Sequence, residues 1–140
     1  AEEHDHNHDD HQHDAAHSNG VDSRVDTILQ IMQSGELAPM QGVMQIRDLA
    51  NEHPESIKAQ YTLGLMSMNT GQFEKAVERF EKVLALDPND ITAYRLKGRS
   101  HLEMGDTTAA AASFDKAMGL ADKETRSSIE QELIELKLTK

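Results

Sequence analysis

The chain has 140 residues, a formal net charge of −11 and no cysteine, which excludes disulfides, thiolate nucleophiles and cysteine-based zinc sites. No apolar run approaches the roughly 20 residues that span a bilayer. The charge is uneven, because residues 1–22 hold seven acidic residues and no Lys or Arg, whereas residues 23–140 carry only −4. That body has no basic stripe for neutralising phosphates, which argues against a nucleic-acid partner.

Residues 1–22 form a His/Asp-rich tail that we predict to be disordered, since alanines and Val21 are its only aliphatic residues and their burial cannot offset the entropy of ordering. Imidazole and carboxylate groups alternate along it, so three or four of them could surround Zn²⁺, Ni²⁺ or Cu²⁺ with little selectivity. The alternative is a solvating acidic tail or a segment added for expression. The predicted metal ligands are His4, His6, His8, His11, His13 and His17.

Residues 23–56 carry two amphipathic stripes at helical spacing, separated by a segment that contains Gly35 and Pro39. We interpret this region as a degenerate helical repeat. The apolar residues of the two stripes are Val25, Ile28, Leu29 and Met32, then Val43, Met44, Ile46, Leu49 and Ala50.

An internal period of 34 residues follows, and it predicts two equivalent units over residues 57–90 and 91–124. Each unit is expected to hold two helices, over 59–70 and 73–86 in the first and over 92–104 and 107–120 in the second. Gly71 and Gly105 are expected to end the first helix of each unit in a left-handed conformation. The matched residues are Gly64 with Gly98, Gly71 with Gly105, Ala76 with Ala110, Phe80 with Phe114, and Leu86 with Leu120.

These two units resemble the tetratricopeptide repeat. Its signature residues are carried by Leu63, Gly64, Ala76, Phe80 and Pro88 in the first unit and by Tyr94, Gly98, Ala110, Phe114 and Ala117 in the second. Ser67 and His101 depart from the pattern, because the family usually has tyrosine at those positions. The resemblance implies an all-α helical solenoid of two clear repeats, with the degenerate repeat before them.

Residues 125–140 are expected to form a capping segment that closes the solenoid. The helix in this segment is expected to begin slightly earlier, at about residue 123. A terminal helix with a polar outer face covers the exposed end of a repeat array. Its apolar residues are Ile129, Leu133, Ile134 and Leu136, and its opposite, polar face is expected to hold Glu130, Glu132, Glu135 and Lys137.

The resemblance also implies that the first helices of the repeats line a concave groove that binds a partner. Arg95 and Arg99 lie one helical turn apart and therefore share one helix face, where they could hold a carboxylate. Their alternative role is solvated surface charge. The predicted partner-binding residues are Lys58, Tyr61, Leu65, Met68, Asn69, Arg95, Arg99 and Leu102.

No nucleophile motif and no glycine-rich phosphate loop occurs, so we expect a protein that is not an enzyme and requires no cofactor. The leading hypothesis is a protein–protein interaction scaffold that binds a peptide or subunit. The alternatives are a metal-handling accessory protein and a structural subunit of a larger assembly. The tail and a first residue other than methionine resemble trimmed exported bacterial proteins, which favours a periplasmic location over a cytoplasmic one.

Overall fold

The helices follow one another along the chain in a computed structural model that describes residues 20–136. Within that range the chain forms seven α-helices and no strand, which confirms the predicted all-α fold class. The helices are α1 (20–33), α2 (Pro39–Glu52), α3 (Ile57–Asn69), α4 (Phe73–Leu86), α5 (Ile91–Glu103), α6 (Thr107–Leu120) and α7 (Lys123–Glu135).

The described chain divides into two units, with the division in the first turn of α3, after Ala59. In the first unit, α1 and α2 bury Val25 and Ile46 completely. Helix α1 begins at residue 20, two residues before the expected end of the tail at residue 22. The helix starts before the expected end of the tail because Val21 is only 3% exposed and thus belongs to the apolar stripe of α1.

Helix α3 begins two residues earlier than its periodicity predicts, and a side-chain cap accounts for the difference. The hydroxyl of Ser56 accepts a hydrogen bond from the backbone N–H of Ala59 at 3.1 Å and donates one to Asp22 at 3.2 Å. A serine in this position satisfies a backbone donor that the first helical turn leaves open. Residues of the first unit therefore fix where α3 starts.

In the second unit, the two helices of each repeat approach closely where a glycine faces a phenylalanine ring. A Cβ atom added to Gly64 would lie 2.6 Å from Phe80 Cε1, and one added to Gly98 would lie 2.8 Å from Phe114 Cε2. Both rings are fully buried. Only glycine leaves room for the ring at these two positions, so the repeated pairs set the spacing of α3 against α4 and of α5 against α6.

The ends of these helices are fixed by local features that the sequence shows. Gly71 and Gly105 adopt φ values of 77° and 81°, the left-handed conformation expected of them. Asp90, Asp106 and Asp122 cap α5, α6 and α7, and each carboxylate accepts from the backbone N–H three residues on, at 3.0, 3.0 and 2.7 Å respectively. The terminal helix α7 then buries Ile129 and Leu133 in one cluster with Phe114, Ala117 and Ala121.

Candidate partner-binding site

Helix α5 presents Arg95 and Arg99 from one side, while it buries Ala93 and Ser100 on another. The two guanidinium groups lie one turn apart, as the spacing predicts. The side chain of Arg95 is 29% exposed and that of Arg99 is 49% exposed. We call these two residues the arginine site.

The arginine site is occupied by a carboxylate from helix α7 of the same chain. Nε of Arg95 donates to Oε1 of Glu132 at 2.8 Å, and Nη2 of Arg95 lies 2.7 Å from the same oxygen. Nε of Arg99 is 3.8 Å from Oε2 of Glu132. One carboxylate thus faces two guanidinium groups, and it is bound more closely to Arg95 than to Arg99.

The position of Glu132 corrects the expected faces of the terminal helix. Its side chain is only 14% exposed and faces α5, whereas Ile134, expected on the apolar side, is 58% exposed. The helical spacing explains the exchange, because Glu132 follows the buried Ile129 by three residues and directly precedes the buried Leu133. That spacing was visible in the sequence and could have placed Glu132 on the inner face.

Tyr61 on α3 belongs to the same electrostatic environment as the arginine site. Its ring packs edge to face on Phe80, with centroids 5.9 Å apart and planes at 73°. Burial and, secondarily, the charge of Asp90 raise the pKa of Tyr61, while the charge of Arg95 lowers it. The phenol of Tyr61, in the first repeat, therefore lies within range of the charge of Arg95 in the second.

The other predicted partner-binding residues differ in how available they are. Leu65 and Asn69 are exposed, whereas Met68 and Leu102 are partly buried. Lys58 belongs to the first unit, where its ammonium group lies 2.6 Å from Asp26 Oδ1. An ion pair within the first unit thus engages the amine that we expected to contact a partner.

A polar contact between α3 and α4 lies beside Tyr61 and was not expected from the sequence. Nη1 of Arg79 donates to Oε1 of Gln60 at 2.9 Å, and Gln60 is almost completely buried. A buried amide without a partner is costly, so this bond favours one arrangement of the two helices. The two residues are 19 positions apart, and no motif links them.

The six histidines predicted to bind metal lie outside the described residues. Among residues 20–136, no group of three or more His, Cys, Asp or Glu side chains is arranged to hold a metal ion. In the same part of the chain, no helix is both long enough and apolar enough to cross a membrane.

Comparison with known families identifies the repeats. Two family models, each described as the tetratricopeptide repeat, match residues 57–90 and residues 91–124. Residues 57–124 are therefore two tetratricopeptide repeats, as their resemblance implied, and these repeats support a role as a scaffold for protein–protein interaction.

Similar solved structures support the same fold. A variant of MamA is 25% identical, with a TM-score of 0.63, and the match covers 74% of this chain and 74% of that one. Another crystal structure of MamA, also 25% identical with a TM-score of 0.57, is matched over 62% of this chain but only 48% of that one. The Yersinia enterocolitica type III secretion translocator chaperone SycD is 17% identical, with a TM-score of 0.72 and 86% of each chain covered.

Proposed function

We propose that this scaffold binds an acidic peptide segment of a partner protein, with the arginine site as the point that fixes its orientation, and that it catalyses no reaction. The observation that supports this proposal is the arrangement of the arginine site. Two guanidinium groups share a single carboxylate there, so they keep one positive charge in excess. In a chain with a net charge of −11, such a locally positive point favours a negatively charged ligand.

Apolar groups on helices α3 and α5 would supply the burial that a peptide needs. Leu65 on α3 is exposed, and Tyr61 and Leu102 are partly exposed on α3 and α5. Guanidinium groups add charge-assisted hydrogen bonds, which fix a carboxylate in direction as well as position. A peptide-sized contact of this composition is expected to have micromolar affinity, or about −8 kcal/mol.

The test measures fluorescence anisotropy with a short fluorescein-labelled peptide in which leucine and glutamate alternate. Replacing both arginines with glutamine, as Arg95→Gln with Arg99→Gln, should weaken binding by about tenfold or more. The matched control is Lys82→Gln with Lys116→Gln, which removes the same charge from exposed positions on α4 and α6. Equal weakening of binding in both variants would show that only the net charge of the chain matters. Unchanged binding in the arginine variant would show that the peptide binds elsewhere.

Glutamine is preferred to charge reversal because Glu132 lies against the arginine site. A glutamate at position 95 would face the carboxylate of Glu132, which is largely buried, and the repulsion would destabilise α7. A loss of binding in that variant could then come from a loss of folding. The amide of glutamine removes the charge and keeps a hydrogen-bond donor for Glu132.

A second proposed activity is divalent-metal binding by the tail, as in a metal-handling accessory protein. Its support is the alternation of six histidines with carboxylates in residues 1–17, a donor set that Zn²⁺, Ni²⁺ and Cu²⁺ accept. Calorimetric titration of the whole chain with Zn²⁺ or Ni²⁺ tests the activity directly. A chain that binds neither ion near neutral pH would exclude it.

A further inference from the structure

We infer that Glu132 is a built-in competitor at the arginine site, so that a partner binds by substituting its own carboxylate for that of Glu132. The inference rests on the proposed function, because it concerns the affinity of the same site for the same class of acidic ligand. It adds a regulatory element, since the chain then sets its own affinity through one side chain of α7.

The geometry of the ion pair shows where a partner carboxylate enters. Glu132 places Oε1 against two nitrogens of Arg95, but its other oxygen is 3.8 Å from Nε of Arg99. That distance is beyond a hydrogen bond, and nearly half of the Arg99 side chain is exposed. An incoming carboxylate can therefore pair first with Arg99 and then compete with Glu132 for Arg95.

The carboxylate of Glu132 can leave while helix α7 stays in place. Ile129 and Leu133 anchor α7 by burial against α6, and the side chain of Asp122 caps its first turn. None of these three contacts involves the carboxylate of Glu132. Rotation of the Glu132 side chain would therefore release the guanidinium of Arg95 without moving these anchors of α7.

Competition of this kind defines the partner more closely. A basic segment would gain nothing from displacing Glu132, and a neutral one would leave the guanidinium of Arg95 without a counter-charge. The ligand that fits is a segment with at least one carboxylate next to an apolar side chain. Such a ligand replaces the interaction that Arg95 already makes and adds a contact with Arg99.

The experiment removes the competitor and keeps the site. In the 140-residue chain, Glu132→Gln should bind the leucine–glutamate peptide roughly 1.4- to fivefold more tightly than the unaltered chain, the range that a partly exposed ion pair supports. Glu130→Gln is the matched control, because it removes the same charge from an exposed position on α7. It should leave the affinity for the leucine–glutamate peptide unchanged. A probe in which glutamine replaces glutamate should bind weakly to the unaltered chain and to Glu132→Gln alike, because it has no carboxylate for the arginine site.

The outcomes separate this inference from the proposed function. If the double arginine variant loses the peptide while Glu132→Gln and Glu130→Gln bind alike, the competition is refuted and the proposed function stands. If the double arginine variant binds normally, the proposed function fails and the competition with it.

Should Glu132→Gln fail to fold, as judged by circular dichroism, Glu132→Asp takes its place. It keeps the charge but draws the carboxylate back from Arg95 by one methylene. It should raise the affinity by a smaller factor than that expected of Glu132→Gln. An affinity no higher than that of the unaltered chain would refute the inference.

Discussion

Substitution of Gly64 by alanine tests whether the glycine–phenylalanine contact sets the spacing of α3 against α4. The new methyl carbon would lie 2.6 Å from Cε1 and 2.8 Å from Cζ of Phe80, closer than non-bonded carbons approach. The ring cannot retreat easily, because it is fully buried and packs edge to face against Tyr61. The two helices must therefore separate, or the ring must leave its preferred rotamer.

The expected cost is a balance of two terms. Overpacking of a filled core typically destabilises by about 1–3 kcal/mol. Alanine is favoured over glycine in the middle of a helix by about 1 kcal/mol, which offsets part of that cost. We therefore expect Gly64→Ala to lower the free energy of unfolding by up to about 2 kcal/mol, and Gly64→Leu to lower it further.

The assay is urea unfolding followed by circular dichroism, with Gly119→Ala as the control. Gly119 lies on α6, and an added Cβ there would meet nothing within 4 Å, so only the gain in helix propensity remains. The control should be as stable as the unaltered chain or slightly more stable. If Gly64→Ala behaves like Gly119→Ala, the ring of Phe80 moves freely and the close-packing argument is wrong.

A double-mutant cycle with Phe80→Leu adds a sharper test, because leucine lacks the ring atoms that the new methyl group would meet. Gly64→Ala should then cost clearly less in the Phe80→Leu background than in the unaltered chain. Strict additivity of the two substitutions would show that the cost of Gly64→Ala does not come from the ring.

The remaining predictions concern a helix end, a cap and the tail. Gly71→Ala should destabilise by about 1 kcal/mol in the same urea assay, because alanine is strained at a φ of 77°; an unchanged midpoint would contradict this. Backbone and then side-chain hydrogen bonds from Thr125 hold the pKa of Asp122 below its ordinary value of 3.8. Its contribution to stability is thus complete above that value and is lost as the pH falls through the lowered folded pKa. Between about pH 5 and pH 2, the range over which a paired aspartate titrates, the unaltered chain should therefore lose more stability than Asp122→Asn. Parallel profiles of stability against pH for the two chains would show that the cap does not titrate. Deleting residues 1–19 should abolish most binding of Zn²⁺ or Ni²⁺, and binding by the whole chain should weaken below about pH 6 as the imidazoles are protonated; equal binding by the shortened chain would exclude the tail as the site.

The sequence by itself determined the features that depend on neighbours along the chain. The expected ranges 73–86 and 107–120 coincide with α4 and α6, because glycine turns, aspartate caps and proline mark helix ends within a few residues. The offset of 34 residues also predicted that Gly64 and Gly98 occupy equivalent places, as do Phe80 and Phe114, although the contact of each glycine with a phenylalanine ring came from the structure. The equivalence follows because two residue pairs with the same spacing and the same types must occupy equivalent places in two equivalent helix pairs.

Only the tertiary structure decided which polar side chains meet. Arg95 and Glu132 are 37 positions apart, and Gln60 and Arg79 are 19 apart. Their contacts depend on the angle and distance between packed helices, and helical periodicity specifies a side chain's face but not the partner on the next helix. The sequence therefore indicated two arginines on one face of α5. The packing of α7 on α6 determined that a carboxylate of the chain itself occupies them.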